Sequence, residues 1–254
     1  MPIRESSSAR IVPNDRVTVV VPTYNERENL AHIVSAVLHQ GYRLLVVDDN
    51  SPDGTGDLAR RLAAENESMS TLHRREKAGL GPAYAAGFDR AIADGARIIV
   101  EMDADFSHDP ADLPRLVAAV ESGADLAIGS RYVPGGSTPD WPLPRRLISR
   151  GGNIYSRFML GLEIRDATAG FRAFSVDALQ KLPYGSAEAS GYGFQVEMAW
   201  HATKQGLNIV EVPIAFHDRA HGTSKMGPDI VREAMGLVTV WGWDRWRRRL
   251  AFWK

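Results

Sequence analysis

The 254-residue chain contains no cysteine. It therefore has neither a disulfide framework nor a thiolate zinc site, and any metal must sit among oxygen or imidazole ligands. It also lacks an excess of either charge: 30 Lys and Arg stand against 31 Asp and Glu, a formal net of −1. Such a chain carries no field that gathers nucleic acid non-specifically, so nucleic acid is not an expected partner. Long apolar runs are missing too. The nearest approach, Ala234 to Trp243, falls well short of the roughly 18 continuous apolar residues that a bilayer-spanning helix needs. Residues 1–15 are polar and serine-rich, without the apolar core of about 7–15 residues that a secretion signal requires. A flexible N-terminal segment and a cytoplasmic catalytic body are expected. The content of 44% hydrophobic and 24% charged residues excludes disorder and collagen.

Two common phosphate-binding signatures are absent as well. The first apolar run opens VTVVVPTYNEREN (Val17–Asn29), which holds neither GxxxxGK[ST] nor GxGxxG, so ATP hydrolysis and hydride transfer lose ground. What is present from Arg16 to about Gly129 is an alternation of short Val- and Ile-rich runs with stretches of helical spacing, the pattern of βαβ units and a parallel sheet covered on both faces. The runs are Val17–Val21, Leu44–Val47, Ile98–Met102 and Leu126–Ile128, with Thr71–His73 a weaker candidate. Glu28–Leu38, Asp57–Glu65, Pro82–Ala93 and Ala111–Val120 read as helices between them. After Arg131 the rhythm breaks at Pro134-Gly135-Gly136, Pro139 and Pro142-Leu143-Pro144, which predicts an irregular, substrate-facing connection. Beyond it come a helical span from Arg146 to Leu160, a turn-rich Gly170-Phe171-Arg172, a helical span near Phe194–Lys204 and a strand-like Asn208–Val212. No solenoid repeat or separable linker is visible. The expected organisation is one α/β catalytic domain over residues 16–240, with a tail at 241–254.

In open parallel α/β sheets, ligands bind beyond the carboxyl ends of the strands. Three apolar runs here end in polar clusters: Pro22-Thr23-Tyr24-Asn25-Glu26, Asp48-Asp49-Asn50-Ser51-Pro52-Asp53-Gly54-Thr55, and Asp103-Ala104-Asp105. Each alone reads equally as a solvated turn or helix cap; together they converge on one edge. Asp103 and Asp105 can present two carboxylates to a hard divalent cation, with phosphate oxygens and water completing the octahedron. A nucleoside diphosphate is the natural complement. Lys77-Ala78-Gly79-Leu80-Gly81-Pro82 could turn free N–H groups toward a phosphate, or be a plain loop.

PTYNERENL (Pro22–Leu30), DDNSPDGT (Asp48–Thr55), GLGPAY (Gly79–Tyr84), MDADFSHDP (Met102–Pro110), GSRYVPGG (Gly129–Gly136), LISRGGN (Leu147–Asn153), TAGFRAF (Thr168–Phe174), GYGFQVEM (Gly191–Met198) and DRAHGTSKM (Asp218–Met226) carry a more specific signal. Over roughly Val17 to Gly227 the sequence resembles the inverting family 2 glycosyltransferases of GT-A fold, and among them the polyprenyl-phosphate (dolichyl-phosphate) mannose synthases. The resemblance implies a mostly parallel twisted sheet flanked by helices, GDP-mannose as donor, a polyprenyl phosphate as acceptor, and Mg²⁺ or Mn²⁺ as cofactor. It further implies that Pro22, Tyr24, Glu26, Val47 and Asp49 enclose the nucleoside. Asp103, Ala104 and Asp105 would meet the ribose-diphosphate end and its metal, with Ser107 near the metal where some relatives place Gln. Arg131, Arg219 and Lys225 would clamp the donor diphosphate or the acceptor phosphate, and Arg146 and Arg150 are acceptor candidates. Glu197 either buttresses the acceptor side or caps a helix. His217 and His221 lack metal-ligand spacing.

The chemistry such residues permit is a single displacement at the anomeric carbon. A metal with Arg and Lys neutralises the departing diphosphate. A phosphate monoester with a second pKa of about 6 is already a dianion near neutrality and needs no dedicated base. An α-linked donor then gives a β-linked product. A different sugar nucleotide such as UDP-glucose remains open at this stage. A processive polysaccharide synthase would show a QxxRW motif, and a nucleotidyltransferase a Gly- and Arg-rich loop after the first strand; neither is present. A catalytically silent sensor would tolerate loss of the acids. Residues 241–254 carry five cations against one acid, a net of +4, which leaves −5 on the preceding 240 residues. Trp241, Trp243, Trp246, Phe252 and Trp253 lie among those arginines, a mixture suited to the headgroup level of a membrane or to a membrane-embedded partner protein.

Overall fold

The computed structural model describes residues 14–187, 189, 191–219 and 228–251. Seven strands form one sheet: β1 Val17–Thr23, β2 Arg43–Asp48, β3 Met69–His73, β4 Ile98–Glu101, β5 Leu126–Ser130, β6 Arg172–Ser175 and β7 Ile209–Pro213, in the order β3-β2-β1-β4-β6-β5-β7. All neighbours pair in parallel except β6, which runs antiparallel to both β4 and β5. The expected mostly parallel α/β sheet is therefore present. The Gly170-Phe171-Arg172 region is corrected: it leads into a central strand rather than an extended turn. With four residues and a charge at its first position, β6 lacks the alternation or apolar run by which strands are recognised.

The helices are α1 Arg27–His39, α2 Thr55–Glu65, α3 Leu80–Ala93, α4 Leu113–Glu121, α5 Leu143–Leu160, α6 Val176–Leu179, α7 Tyr192–Lys204 and α8 Pro228–Ala251. Several begin a residue or more earlier than expected, α3 and α5 among them. Pro82 and Pro144 lie within the first turns of α3 and α5, where a missing N–H breaks no helical bond. Helices cover both faces of the sheet. Along β1, Val17, Val19 and Val21 face a core built with Leu30, Ile33, Leu116 and Val117 of α1 and α4. Val20 between them faces a second core, with Tyr84 and Phe88 of α3 and Phe194 and Met198 of α7. This is the period-two alternation of a strand whose two faces are both buried. Contact between α3 and the sheet depends on Gly87, where a Cβ would collide with Val20 Cγ1 and stand 3.1 Å from Val47 Cγ2.

α8 runs across position 241 without a break, so the segment expected as a tail continues a helix packed on α5 and α7. Trp241 is buried, its ring stacked on Trp200 at 5.4 Å between centroids. Trp246 tilts against Phe158, while Trp243 is 61% exposed; Phe252 and Trp253 lie outside the described residues. Among the described residues no helix is long and apolar enough to cross a membrane.

Candidate active site

Three strands end at one edge, and each is followed by a non-glycine residue in the left-handed region: Asn25 (φ 58°) after β1, Asn50 (φ 57°) after β2, and Phe106 (φ 60°) after β4. Asn tolerates this conformation readily; Phe does not. Such strain persists where surrounding structure fixes it, and it clusters at functional sites. Here the Phe106 turn lets the Ser107 N–H donate back to Asp105 Oδ1 at 3.0 Å, which sets the direction of that carboxylate.

Much of the polar sequence after β2 serves the loops themselves. Ser51 Oγ donates to Asp48 Oδ1 at 2.6 Å and accepts from the Asn25 N–H at 3.1 Å. Asp53 accepts from the Thr55 N–H and hydroxyl at 2.9 and 2.6 Å, opening α2, and the Glu26 N–H donates to Thr55 Oγ1 at 3.0 Å. Asp49 pairs with Arg74 at 2.6 Å; burial raises its pKa, with the guanidinium pulling the other way. Lys77 lies over the Tyr24 ring, 4.1 Å from its centroid.

Beyond these loops a cavity of about 360 Å³ is lined by Pro22, Glu26, Asp103, Ala104, Asp105, Arg131 and Arg219, all singled out by the sequence, and by several residues that were not. Asp105 is buried and meets Arg219 Nε at 3.0 Å. The Asp103 side chain is 32% exposed. Desolvation, and next the neighbouring Asp105 charge, push its pKa well above the usual carboxylate range, with Arg219 opposing them. His108 lies behind the pair, stacked on Phe171 at 5.0 Å. The Asp103 N–H donates to His108 Nδ1 at 3.4 Å. This requires a neutral ring protonated at Nε2, and burial accordingly lowers its pKa to about 4.

Arg131 forms a buried two-pronged pair with Asp166, 2.7 Å from Nε and 2.6 Å from Nη2, and Nη2 also donates to Thr168 Oγ1 at 2.7 Å. The pairing holds the Asp166 pKa down against desolvation. Arg131 thus reaches the cavity with one edge of its guanidinium fixed. Arg146 and Arg150 line a neighbouring cavity of about 330 Å³ with Tyr132, Thr138 and Leu147. Arg146 donates to the Thr138 carbonyl at 3.0 Å.

Not every expected residue reaches the main cavity. The Val47 side chain is fully buried in the core under α3. Ser107 is buried, and its N–H and carbonyl act within the loops, the carbonyl accepting from the His217 N–H at 3.1 Å. Glu197 is buried and accepts from the Ala189 N–H at 3.0 Å, a loop-bracing role. Lys225 and His221 lie outside the described residues. Arg145, Trp141, His108 and Gln195 line the cavity without having been singled out, and Lys77, from the turn considered for phosphate, joins them. Arg145 lies 4.1 Å from the Trp141 ring centroid and 2.5 Å from Asp218. His108 and Gln195 fall inside motifs that the sequence displays, so a signal existed for them; Arg145 and Trp141 flank the Pro142-Leu143-Pro144 stretch of the connection expected to face substrate, which marked their segment but not these side chains.

Glu101 and Arg172 face each other across β4 and β6, both fully buried beneath the acid pair. Burial raises the Glu101 pKa to about 7, with Arg172 and Gln195 pulling it down.

Residues 18–183 match the model of glycosyl transferase family 2. A polyprenol monophosphomannose synthase of Mycolicibacterium smegmatis is 51% identical over 237 residues, covering 92% of this chain and 89% of the relative. An undecaprenyl-phosphate mannosyltransferase of Micrococcus luteus is 49% identical over 243 residues, covering 92% and 99%. Among solved structures, glucosyl-3-phosphoglycerate synthase of Mycobacterium tuberculosis, in complex with Mn²⁺, UDP and glucosyl-3-phosphoglycerate, superposes with a TM-score of 0.63 at 22% identity, covering 88% of this chain and 77% of that one. A mannosyltransferase of Pyrobaculum calidifontis in complex with GDP-Man and Mn²⁺ gives 0.55 at 19% identity, covering 93% and 67%. These two likenesses concern the fold.

Proposed function

The chain belongs to glycosyl transferase family 2, and from that premise we propose that it transfers mannose from GDP-mannose to a polyprenyl phosphate with inversion, giving a β-linked polyprenyl-phosphate mannose. The observation that carries this reading is the Asp103–Asp105 pair, held at the end of β4 by the Phe106 turn and met by Arg219 inside a cavity that also contains Arg131. The names and close similarity of the two bacterial relatives support the mannose and polyprenyl parts.

The acids suit a hard divalent cation. Two neighbouring carboxylates, one with its pKa raised by desolvation and then by the other's charge, favour sharing a positive charge over ionising side by side. Asp103 and Asp105 would hold Mg²⁺ or Mn²⁺, with Ser107 orienting Asp105 through its N–H. When bound, the ion supplies charge neutralisation for the leaving diphosphate. Arg219 and Lys225 add positive charge at the same end. Pro22, Tyr24, Glu26 and Asp49 enclose the nucleoside, the Val47 contribution being limited to its backbone. Arg131, oriented by Asp166, and Arg146 with Arg150 draw the acceptor phosphate toward the cavity. No residue is assigned as a base, because the acceptor dianion is itself the nucleophile.

A lipid-borne acceptor calls for a seat at the cytoplasmic face of a membrane. Support comes from α5, which exposes Leu143, Leu147, Ile148, Ile154 and Phe158 beside its arginines, and from Val240 and Trp243 of α8. Apolar side chains among cations suit an interfacial position. The deciding assay presents the purified protein with polyprenyl phosphate and each radiolabelled sugar nucleotide in turn. Transfer from GDP-mannose above UDP-glucose is expected; transfer from UDP-glucose alone overturns the mannose assignment.

A further inference from the structure

Gln195 on α7 is 1% exposed and yet lines the cavity. No partner lies within ordinary hydrogen-bond distance of either end of its amide, and the protein group it approaches is the buried Glu101 carboxylate, whose pKa it holds down. A buried polar group left unpaired is costly, and native proteins retain such groups where a ligand or ordered water completes them. What faces Gln195 is defined by Gly170. A Cβ at Gly170 would lie 3.8 Å from Gln195 Nε2, 3.8 Å from His108 Cε1 and 3.9 Å from Asp103 Oδ2. Gly170 is not among the residues with positive φ, and these distances are ordinary contacts. Neither backbone conformation nor crowding therefore demands glycine here. Its lack of a side chain leaves open the place where an amide, a carboxylate and an imidazole converge.

Arg172 fixes that place. Its Nε donates to the Ala169 carbonyl and its Nη2 to the Ala167 carbonyl, both at 2.8 Å, holding the chain that leads to Gly170.

We propose that this convergence is the subsite for the hydroxyls of the transferred sugar, with Gln195 reading neighbouring hydroxyls through both ends of its amide and Gly170 making room for them. The inference deepens the hexosyltransferase reading and rests on it. A hydroxyl both donates and accepts, as an amide does, and a carboxylate beside the amide accepts a further bond. Sites that hydrogen-bond a substrate hydroxyl discriminate strongly against an analogue that misplaces it. Arg172 is a positioning residue here, acting through the 167–170 backbone.

The test compares wild type with Gln195→Leu, Gly170→Ala and Gly170→Ser. Each is titrated with GDP alone and assayed with GDP-mannose and with GDP-glucose, its epimer at one carbon; melting temperatures are recorded alongside. Gln195→Leu is expected to lower kcat/KM for GDP-mannose by about 10–100-fold, to narrow the preference over GDP-glucose, and to leave GDP binding within twofold. Gly170→Ser should reproduce the loss, and Gly170→Ala should show a smaller one. Wild-type kcat/KM and wild-type sugar preference in folded variants would overturn the subsite, as would a parallel loss of GDP binding, which would place Gln195 with the nucleotide instead. If Gln195→Leu fails to fold, the Gly170 pair decides. If wild type prefers another sugar nucleotide, the mannose reading fails, and the same comparison with that donor still judges the subsite.

Discussion

At the scale of single residues, the site is organised by a few carboxylates whose surroundings differ. Asp105 is buried, directed by the Ser107 N–H and paired with Arg219. Asp105→Ala removes a metal ligand under the reading above and is expected to reduce transfer by at least about 1,000-fold. Circular dichroism should show the fold retained, since one loop hydrogen bond and one ion pair are lost; undiminished turnover would remove the metal assignment. His108 allows a second prediction. Its pKa falls to about 4 in the folded protein, against about 6.5 for an unfolded chain. Between those values the unfolded state takes up a proton that the native ring refuses. Stability from this group is thus complete above about pH 6.5 and declines as pH falls toward 4, by about 1.4 kcal/mol per pH unit. His108→Gln keeps an acceptor for the Asp103 N–H and should flatten that part of the stability profile measured by urea denaturation. An unchanged slope would show that His108 titrates normally.

At the scale of elements, the fold depends on close approach as much as on apolar content. α3 reaches β1 because Gly87 has no side chain against Val20 and Val47. Gly87→Ala raises helix propensity and on that ground alone should stabilise. The collision decides the sign instead, and a net loss of about 1–3 kcal/mol is expected in urea titration. Such a position shows how far the elements could be read in advance. Val17–Val21, Leu44–Val47 and Ile98–Met102 were visible because strands buried on both faces concentrate Val and Ile. β6 was not, because its Arg172 is charged and its partners lie far away in the chain. The site divides on similar lines. The acids after β1, β2 and β4 declared themselves by following apolar runs, and the structure brings Pro22, Glu26, Asp103 and Asp105 to one cavity. Val47 belonged to the same motifs, but its side chain points into the core under α3. The prolines marked the segment of Arg145 and Trp141 as substrate-facing, but which of its side chains enter the cavity is set by tertiary packing.

At the scale of the whole molecule, α5 and α8 pack on each other and together present the exposed apolar residues beside arginines. Replacing Leu147 and Phe158 by Ser is expected to lower partition into anionic vesicles by about tenfold or more, with GDP binding unchanged. Equal pelleting of the double variant and wild type would place attachment elsewhere, or on a protein partner. Deleting 241–254 is a poorer probe, because it removes Trp241 from its stack on Trp200 and with it part of the core.

The continuity of α8 also sets a length. Ala234 and Leu237 line the cavity near its start, and Trp243 stands exposed farther along the same rod. Nine residues at about 1.5 Å each separate Ala234 from Trp243, an axial span of about 14 Å. If α8 seats that indole at headgroup depth, as the proposed membrane position requires, those cavity residues would stand at most about that far above it. A prenyl chain could then keep its hydrocarbon immersed while its phosphate rises to collect the sugar, and the enzyme would have no need to extract it.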